Sequence, residues 1–113
     1  MLYEIRNYHI KPEKFEDWKE WIRETGLPFI KGKMDLVGFW LKNDMTPEIR
    51  SSFEEEALGP SNVTWIVRWQ SKEQRDKAWQ DLRESDEWQH IFSMVPGGRD
   101  TYIRTEAKFA EVI

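Results

Sequence analysis

Hydrophobic and polar residues alternate one by one in four stretches of the chain, residues 2–10, 34–42, 63–71 and 101–111. Strict alternation is typical of β-strands, because successive side chains point to opposite faces of a sheet. The stretch 63–71, VTWIVRWQS, is the most regular and places four large apolar residues on one face: Val63, Trp65, Val67 and Trp69. We predict that it forms a central strand.

Two segments that follow strands have apolar residues every three or four positions, the spacing of a helix with one packed face. The first runs from Pro12, a residue favoured at the first helical position, to about Gly26. Gly26 and Pro28 interrupt its pattern, and a further turn through Phe29 and Ile30 stays open. The second covers residues 72–83 after a capping-box pattern that starts at Ser71. Ser85 caps a shorter helix behind it.

About twenty residues, 43–62, connect the second and third strands, which is long for a loop in a compact domain. Thr46 and Pro47 resemble the start of a helix, and Ile49 and Phe53 continue at helical spacing. We therefore predict a short acidic helix in this connection, with the run 54–56 on its solvated face.

The order of elements, βαβ then βαβ, predicts a ferredoxin-like α+β sandwich, a βαββαβ fold with a four-stranded antiparallel sheet and its helices on one face. Odd-numbered residues are the more apolar in three of the strands, so we predict that they lie beneath the helices. The opposite face would still expose four large side chains: Tyr8, Trp40, Ile66 and Tyr102. We expect a homodimer to cover them and close two sheets into an α/β barrel.

A length of 113 residues predicts one domain, 1–113. The net charge of −4 is spread along the chain, so we expect no nucleic-acid partner. With two histidines and no cysteine, we expect neither a metal site nor a cofactor. No segment suggests secretion or membrane insertion, and we expect a cytoplasmic protein.

Three stretches resemble the NIPSNAP family of the dimeric α/β-barrel superfamily: the opening YEIRNYHIKPEKFEDW, the LVGFW of the second strand and ESDEWQHIF. The resemblance implies the ferredoxin-like fold and the dimer, and it implies no particular activity. Residues 44–61 are longer than the corresponding connection in the family. Trp65 stands where the family has histidine.

Four residues are candidates for catalysis on the barrel side of the sheet: Glu4, Arg6, Tyr8 and Arg68. An arginine beside a carboxylate can hold an anionic substrate, and a tyrosine can donate a hydrogen bond to a developing oxyanion. The alternative, which we favour, is an ion-pair network at the dimer interface.

Five residues are candidates for ligand binding. We place four of them under the helices, Asn7, His9, Trp69 and His90, and the fifth, Trp40, toward the barrel interior. The first group resembles residues of heme-degrading and cofactor-free monooxygenases in the same superfamily. Because the family histidine position falls on Phe92, we favour an exposed helix residue for His90 over a heme ligand.

Three functional hypotheses remain. The first is a homodimeric barrel protein that binds a small apolar or aromatic molecule and acts on it, if at all, without a prosthetic group. The second is a non-enzymatic interaction module that docks a partner through residues 43–62, and the third is a heme-linked or antibiotic-biosynthesis-type monooxygenase. A closed cavity of roughly 300 Å³ or more would favour the first, and a filled core with an exposed apolar connection at 43–62 would favour the second.

Overall fold

The computed structural model describes residues 1–55 and 57–113, and its four strands form one antiparallel sheet in the order β2-β3-β1-β4. The strands are β1 Leu2–Ile10, β2 Asp35–Leu41, β3 Val63–Trp69 and β4 Tyr102–Ala110. This order is that of a ferredoxin-like α+β sandwich, so the predicted fold class and the predicted strands are confirmed.

The helical layer begins with a short 3₁₀ turn and continues without a break through three segments, α1 Phe15–Trp21, a π-helical turn Ile22–Gly26 and α2 Leu27–Lys31. The helical run therefore passes the predicted end near Gly26 and includes the further turn through Phe29 and Ile30 that the sequence left open. The Leu27 N–H bonds to the Ile22 carbonyl five residues back, and this wide turn is complete just before Pro28, which has no N–H to contribute.

The second half of the helical layer consists of α3 Lys72–Glu84 and α4 Asp86–Ser93. Each begins at a serine whose hydroxyl accepts a backbone N–H three residues on, at 3.1 Å for Ser71 and 3.2 Å for Ser85. Both predicted caps are confirmed. Within the described ranges, no helix combines the length and apolarity needed to cross a bilayer.

The prediction of which residues lie beneath the helices is right for β3 and wrong for β1. Glu4, Arg6 and Tyr8 pair with Val67, Trp65 and Val63, and paired residues share a face. That face is covered, because Trp65 contacts Trp79 of α3 at 6.0 Å between ring centroids. Even-numbered residues of β1 are therefore buried under the helices, and odd-numbered ones face the other way.

Irregularities in the two outer strands change their faces as well. A register shift after His9 brings Tyr102 to the helix side, where its hydroxyl accepts a hydrogen bond from Trp18 at 3.0 Å. Tyr102 was predicted on the opposite face. A second shift between Leu36 and Gly38 leaves Trp40 on the open face of the sheet, as predicted.

The connection between β2 and β3 has no helix among its described residues, so the predicted short helix is wrong. Ile49 and Phe53 are 52% and 74% exposed, and a short helix without a packed face is not stable in water. Glu56, the last residue of the acidic run, lies outside the described residues. The connection ends at Asn62, whose side chain bonds to both the N–H and the carbonyl of Ile10.

Candidate active site

A cavity of about 900 Å³ lies between the sheet and the helices. It is open to solvent, and its lining comes from all four strands, from the first helical run and from α3 and α4. Aromatic side chains from all of these elements line it: Tyr8, Trp18, Trp21, Phe39, Trp65, Trp79, Trp88, Phe92 and Tyr102. Most large rings of this tryptophan-rich chain thus surround one space.

Glu4 is fully buried on β1 and is the centre of a polar cluster between the sheet and α3. Its carboxylate accepts hydrogen bonds from four side chains at 2.7 to 3.1 Å: Arg6, Trp69, Arg75 and Trp79. Burial alone would raise the pKa of Glu4, but the hydrogen bonds from Arg75, Trp79 and Arg6 outweigh it and lower the pKa from 4.5 to about 2. Glu4 is therefore an ionised anchor that joins β1 to β3 and α3.

Arg6 connects this anchor to the cavity. It donates from Nη1 to Glu4 at 2.7 Å and from Nε to the Tyr8 hydroxyl at 2.8 Å. Its guanidinium also lies 4.4 Å from the centroid of the Trp79 ring. The positive charge of Arg6 is thus held in contact with the Tyr8 hydroxyl.

Two tyrosine hydroxyls line the cavity as hydrogen-bond donors. Tyr8 accepts from Arg6 and Tyr102 accepts from Trp18, and neither hydroxyl donates to an acceptor in the described part of the chain. Burial raises the pKa of Tyr102, so this hydroxyl keeps its proton across the neutral range. The rings lie 5.6 Å apart in an edge-to-face arrangement. Each hydroxyl can donate to an oxygen acceptor of a bound molecule.

Trp65 has an unpaired buried polar group. Its ring lines the cavity, and its buried indole N–H has no hydrogen-bond acceptor among residues 1–55 and 57–113. A buried N–H without a partner destabilises a fold by roughly 1–3 kcal/mol.

Of the predicted catalytic residues, the structure brings together Glu4, Arg6 and Tyr8, but under the helices and not on the barrel side. Arg68 is not part of this group. It lies on the open face and donates to Asp35 at 2.8 Å in an exposed ion pair. The register of β1 explains this separation, because Glu4, Arg6 and Tyr8 lie on the buried face of the sheet and Arg68 lies on the open face.

Asn7 and His9 do not lie under the helices, in contrast to the prediction. Asn7 accepts hydrogen bonds on the open face from the hydroxyls of Thr64, at 2.6 Å, and Ser61. His9 donates from Nε2 to the Gly59 carbonyl at 2.9 Å. Both residues hold the end of the long connection against β1.

The three remaining predicted residues are scattered. Trp69 lies under the helices, as predicted, but its indole N–H is used by Glu4. Trp40 is 51% exposed on the open face, and its ring covers Gly38, where a Cβ atom would collide with it. His90 is exposed on α4 and does not line the cavity.

Sequence reasoning did not assign Arg75, Trp79 and Trp65 to the site. Arg75 and Trp79 are one turn apart on α3, on the face that also carries Leu82 toward the sheet. An arginine within an apolar helix face was the available signal, because such a charge requires a buried partner.

The residues of this cavity do not fit a histidine-ligated heme. No histidine is among the side chains described as lining it, and both histidines of the chain lie elsewhere. Over the described ranges, no group of three histidine, aspartate or glutamate side chains is arranged to hold a metal ion.

Comparison with known proteins supports the family resemblance. The NIPSNAP family model matches residues 3–46. An uncharacterized NIPSNAP domain protein from Burkholderia xenovorans has a TM-score of 0.75 at 18% identity, over 100% of this chain and 95% of that one. A NIPSNAP family protein from Agrobacterium tumefaciens has a TM-score of 0.76 at 18% identity, over 99% of this chain and 85% of that one.

An antibiotic biosynthesis monooxygenase is also similar, with a TM-score of 0.57 at 13% identity over 100% of this chain and 99% of that one. No curated protein sequence matches the chain significantly. At these identities the structural likeness shows the fold alone. The predicted resemblance is confirmed: this chain resembles the NIPSNAP family in the sequence of residues 3–46 and has the fold of NIPSNAP proteins along its whole length.

Proposed function

We propose that the protein binds a small aromatic or apolar molecule in the cavity between its sheet and its helices. The observation that supports this most directly is the cavity itself. Its volume of about 900 Å³ is at the upper end of the range of small-molecule sites, and its walls are mainly aromatic. Flat rings can stack or make edge-to-face contacts with a flat ligand from several sides.

The polar end of the cavity could stabilise a negative charge on a bound molecule. An oxygen of the ligand that approaches Tyr8 and Tyr102 would meet two hydroxyl donors, one of them hydrogen-bonded to the Arg6 cation. Donors fixed in this way stabilise negative charge on a carbonyl oxygen of a bound molecule. Glu4 acts through Arg6 and Trp79 and is a positioning residue in this scheme.

The experiment is titration with N-phenyl-1-naphthylamine, a neutral aromatic probe that fluoresces in apolar surroundings. We expect saturable binding to the wild-type protein and its loss in Ser93→Trp, because Ser93 lines the cavity at an exposed position of α4. His90→Trp is the matched control, since His90 is exposed on the same helix and does not line the cavity. Equal binding by all three proteins would contradict the proposal.

A second candidate function rests on the long connection. Four of its apolar side chains are exposed, namely Met45, Ile49, Phe53 and Leu58. Exposed apolar groups that are close together in a chain are typical of contact surfaces. Under this alternative the segment docks a protein partner, and replacing Ile49 and Phe53 by serine would abolish that contact without affecting probe binding.

We also propose that the protein forms a homodimer in the cytoplasm. The open face of the sheet carries Ile5 and Ile66 side by side, and exposed Trp40 lies on the same face. An isologous contact through this face would cover these side chains. The cavity lies on the opposite side of the sheet, so dimerisation and ligand binding can be tested separately. The lack of cysteine suits a reducing compartment.

A further inference from the structure

The charge of the cavity differs in sign from that of the protein. The chain carries a net charge of −4, yet the side chains described as lining the cavity include three arginines and neither aspartate nor glutamate. These arginines are Arg6, Arg83 and Arg99. In a protein with more acidic than basic residues, such a lining gives this space a positive potential.

The three arginines differ in whether their charge is balanced. Arg6 forms an ion pair with Glu4 at 2.7 Å. In contrast, Arg83 and Arg99 have no carboxylate within ion-pair distance in residues 1–55 and 57–113. Both are exposed residues of the cavity wall, so the unbalanced positive charge is located at its solvent side.

The neighbours of these arginines place the charge beside aromatic rings. The Arg99 guanidinium lies 5.7 Å from the centroid of the Phe92 ring, and Phe92 lines the cavity. Arg83 follows Trp79 by one turn of α3, and both residues line the cavity. A ligand with its ring among the aromatic side chains would thus have its outer edge within reach of a guanidinium.

We propose that the cavity selects aromatic anions, molecules with an aromatic body and a carboxylate, sulfonate or phenolate group that Arg83 and Arg99 bind at the solvent side. This inference rests on the proposed function, because it assumes that the cavity takes an aromatic molecule. A guanidinium matches the geometry of a carboxylate or sulfonate with two parallel N–H donors. The tyrosine hydroxyls remain available for a second oxygen deeper in the cavity.

Two fluorescent probes with the same anilinonaphthalene body test the inference. One is 8-anilinonaphthalene-1-sulfonate, an anion, and the other is neutral N-phenyl-1-naphthylamine. We expect the anion to bind the wild-type protein more tightly than the neutral probe does. In Arg83→Gln and Arg99→Gln, we expect the Kd of the anion to rise by about two- to fivefold each, as for an exposed charged pair, with the Kd of the neutral probe unchanged.

Arg23→Gln is the matched control. Arg23 is exposed in the π-helical turn and does not line the cavity, so this variant removes one positive charge without touching the site. We expect it to leave the Kd of both probes unchanged. We also expect raised salt to weaken binding of the anion only, since salt screens exposed charges.

The outcomes separate this inference from the proposed function. If the neutral probe binds the wild-type protein and the anion neither binds better nor responds to Arg83→Gln and Arg99→Gln, the charge selectivity is refuted and the cavity remains a site. If neither probe binds, the proposed function itself fails. An equal loss of both probes in the arginine variants would show that the arginines shape the cavity, which also refutes their role in anion selection.

Discussion

Replacement of Glu4 by glutamine tests whether the buried anchor stabilises the fold through its charge. Glutamine keeps the shape of the side chain, but its amide cannot accept the full set of hydrogen bonds from Arg6, Trp69, Arg75 and Trp79. Lowering the pKa from 4.5 to about 2 corresponds to roughly 3 kcal/mol of folding free energy at neutral pH. The loss of one partner from a buried ion pair, about 3–5 kcal/mol, is similar.

The pKa shift also fixes the direction of the pH dependence. Glu4 is more acidic in the folded state than in the unfolded state, so its contribution is complete above about pH 4.5 and is lost as the pH falls toward about 2. Between pH 7 and pH 3 the wild-type protein should lose roughly 2 kcal/mol from this residue. Glu4→Gln should be less stable at pH 7 and should lack this part of the pH dependence.

Urea unfolding followed by tryptophan fluorescence at pH 7 and pH 3 measures both effects. Glu16→Gln is the control, because Glu16 is exposed and its pair with Lys19 at 2.7 Å lies at the surface. We expect that variant to change the free energy of unfolding by less than about 1 kcal/mol. If Glu4→Gln unfolds at the wild-type urea concentration, or retains the wild-type difference between the two pH values, the anchor role is refuted.

Three further predictions concern the caps, a turn and the dimer. Ser71→Ala should lower the free energy of unfolding by about 1 kcal/mol, measured in urea, because the Gln74 N–H loses its acceptor. Gly97→Ala should lower Tm more than Gly59→Ala does in calorimetry: both glycines have a positive φ, but only at Gly97 would a Cβ collide with the Thr101 side chain. Trp40→Glu should convert a wild-type dimer into a monomer in analytical ultracentrifugation. A monomeric wild-type protein at micromolar concentration would refute that proposal.

The strands and the fold class could be predicted from the sequence because alternation was regular and turn residues separated the elements. The side of the sheet to which each β1 residue points could not be predicted. Glu4 and Arg6 resemble solvent-exposed residues, and nothing local shows that Trp69, Arg75 and Trp79 satisfy them. An error of one residue in facing exchanges every inward and outward side chain of a strand, which displaced Asn7 and His9 in the prediction.

The helix predicted in the long connection is wrong for a different reason, because its local signals were present but no packing supported them. Thr46 and Pro47 carried a local start signal, and Ile49 and Phe53 had helical spacing, but no surface of the domain covers these apolar residues. Helical spacing predicts a helix only where one face packs. The cavity was also beyond sequence analysis, because its walls come from elements far apart in the chain and its size depends on how they pack.

The π-helical turn Ile22–Gly26 holds one residue more than an α-helical turn would need. Deleting one of its residues would restore a regular α-helix and keep α2 in register with α1, so the change would be confined to the part of the cavity wall that Ile22 forms. A single deletion at this place would therefore change one wall of the binding space while the helices and the sheet kept their orientation. Evolution could adapt proteins of this architecture to differently shaped molecules by this route, without altering the buried carboxylate anchor.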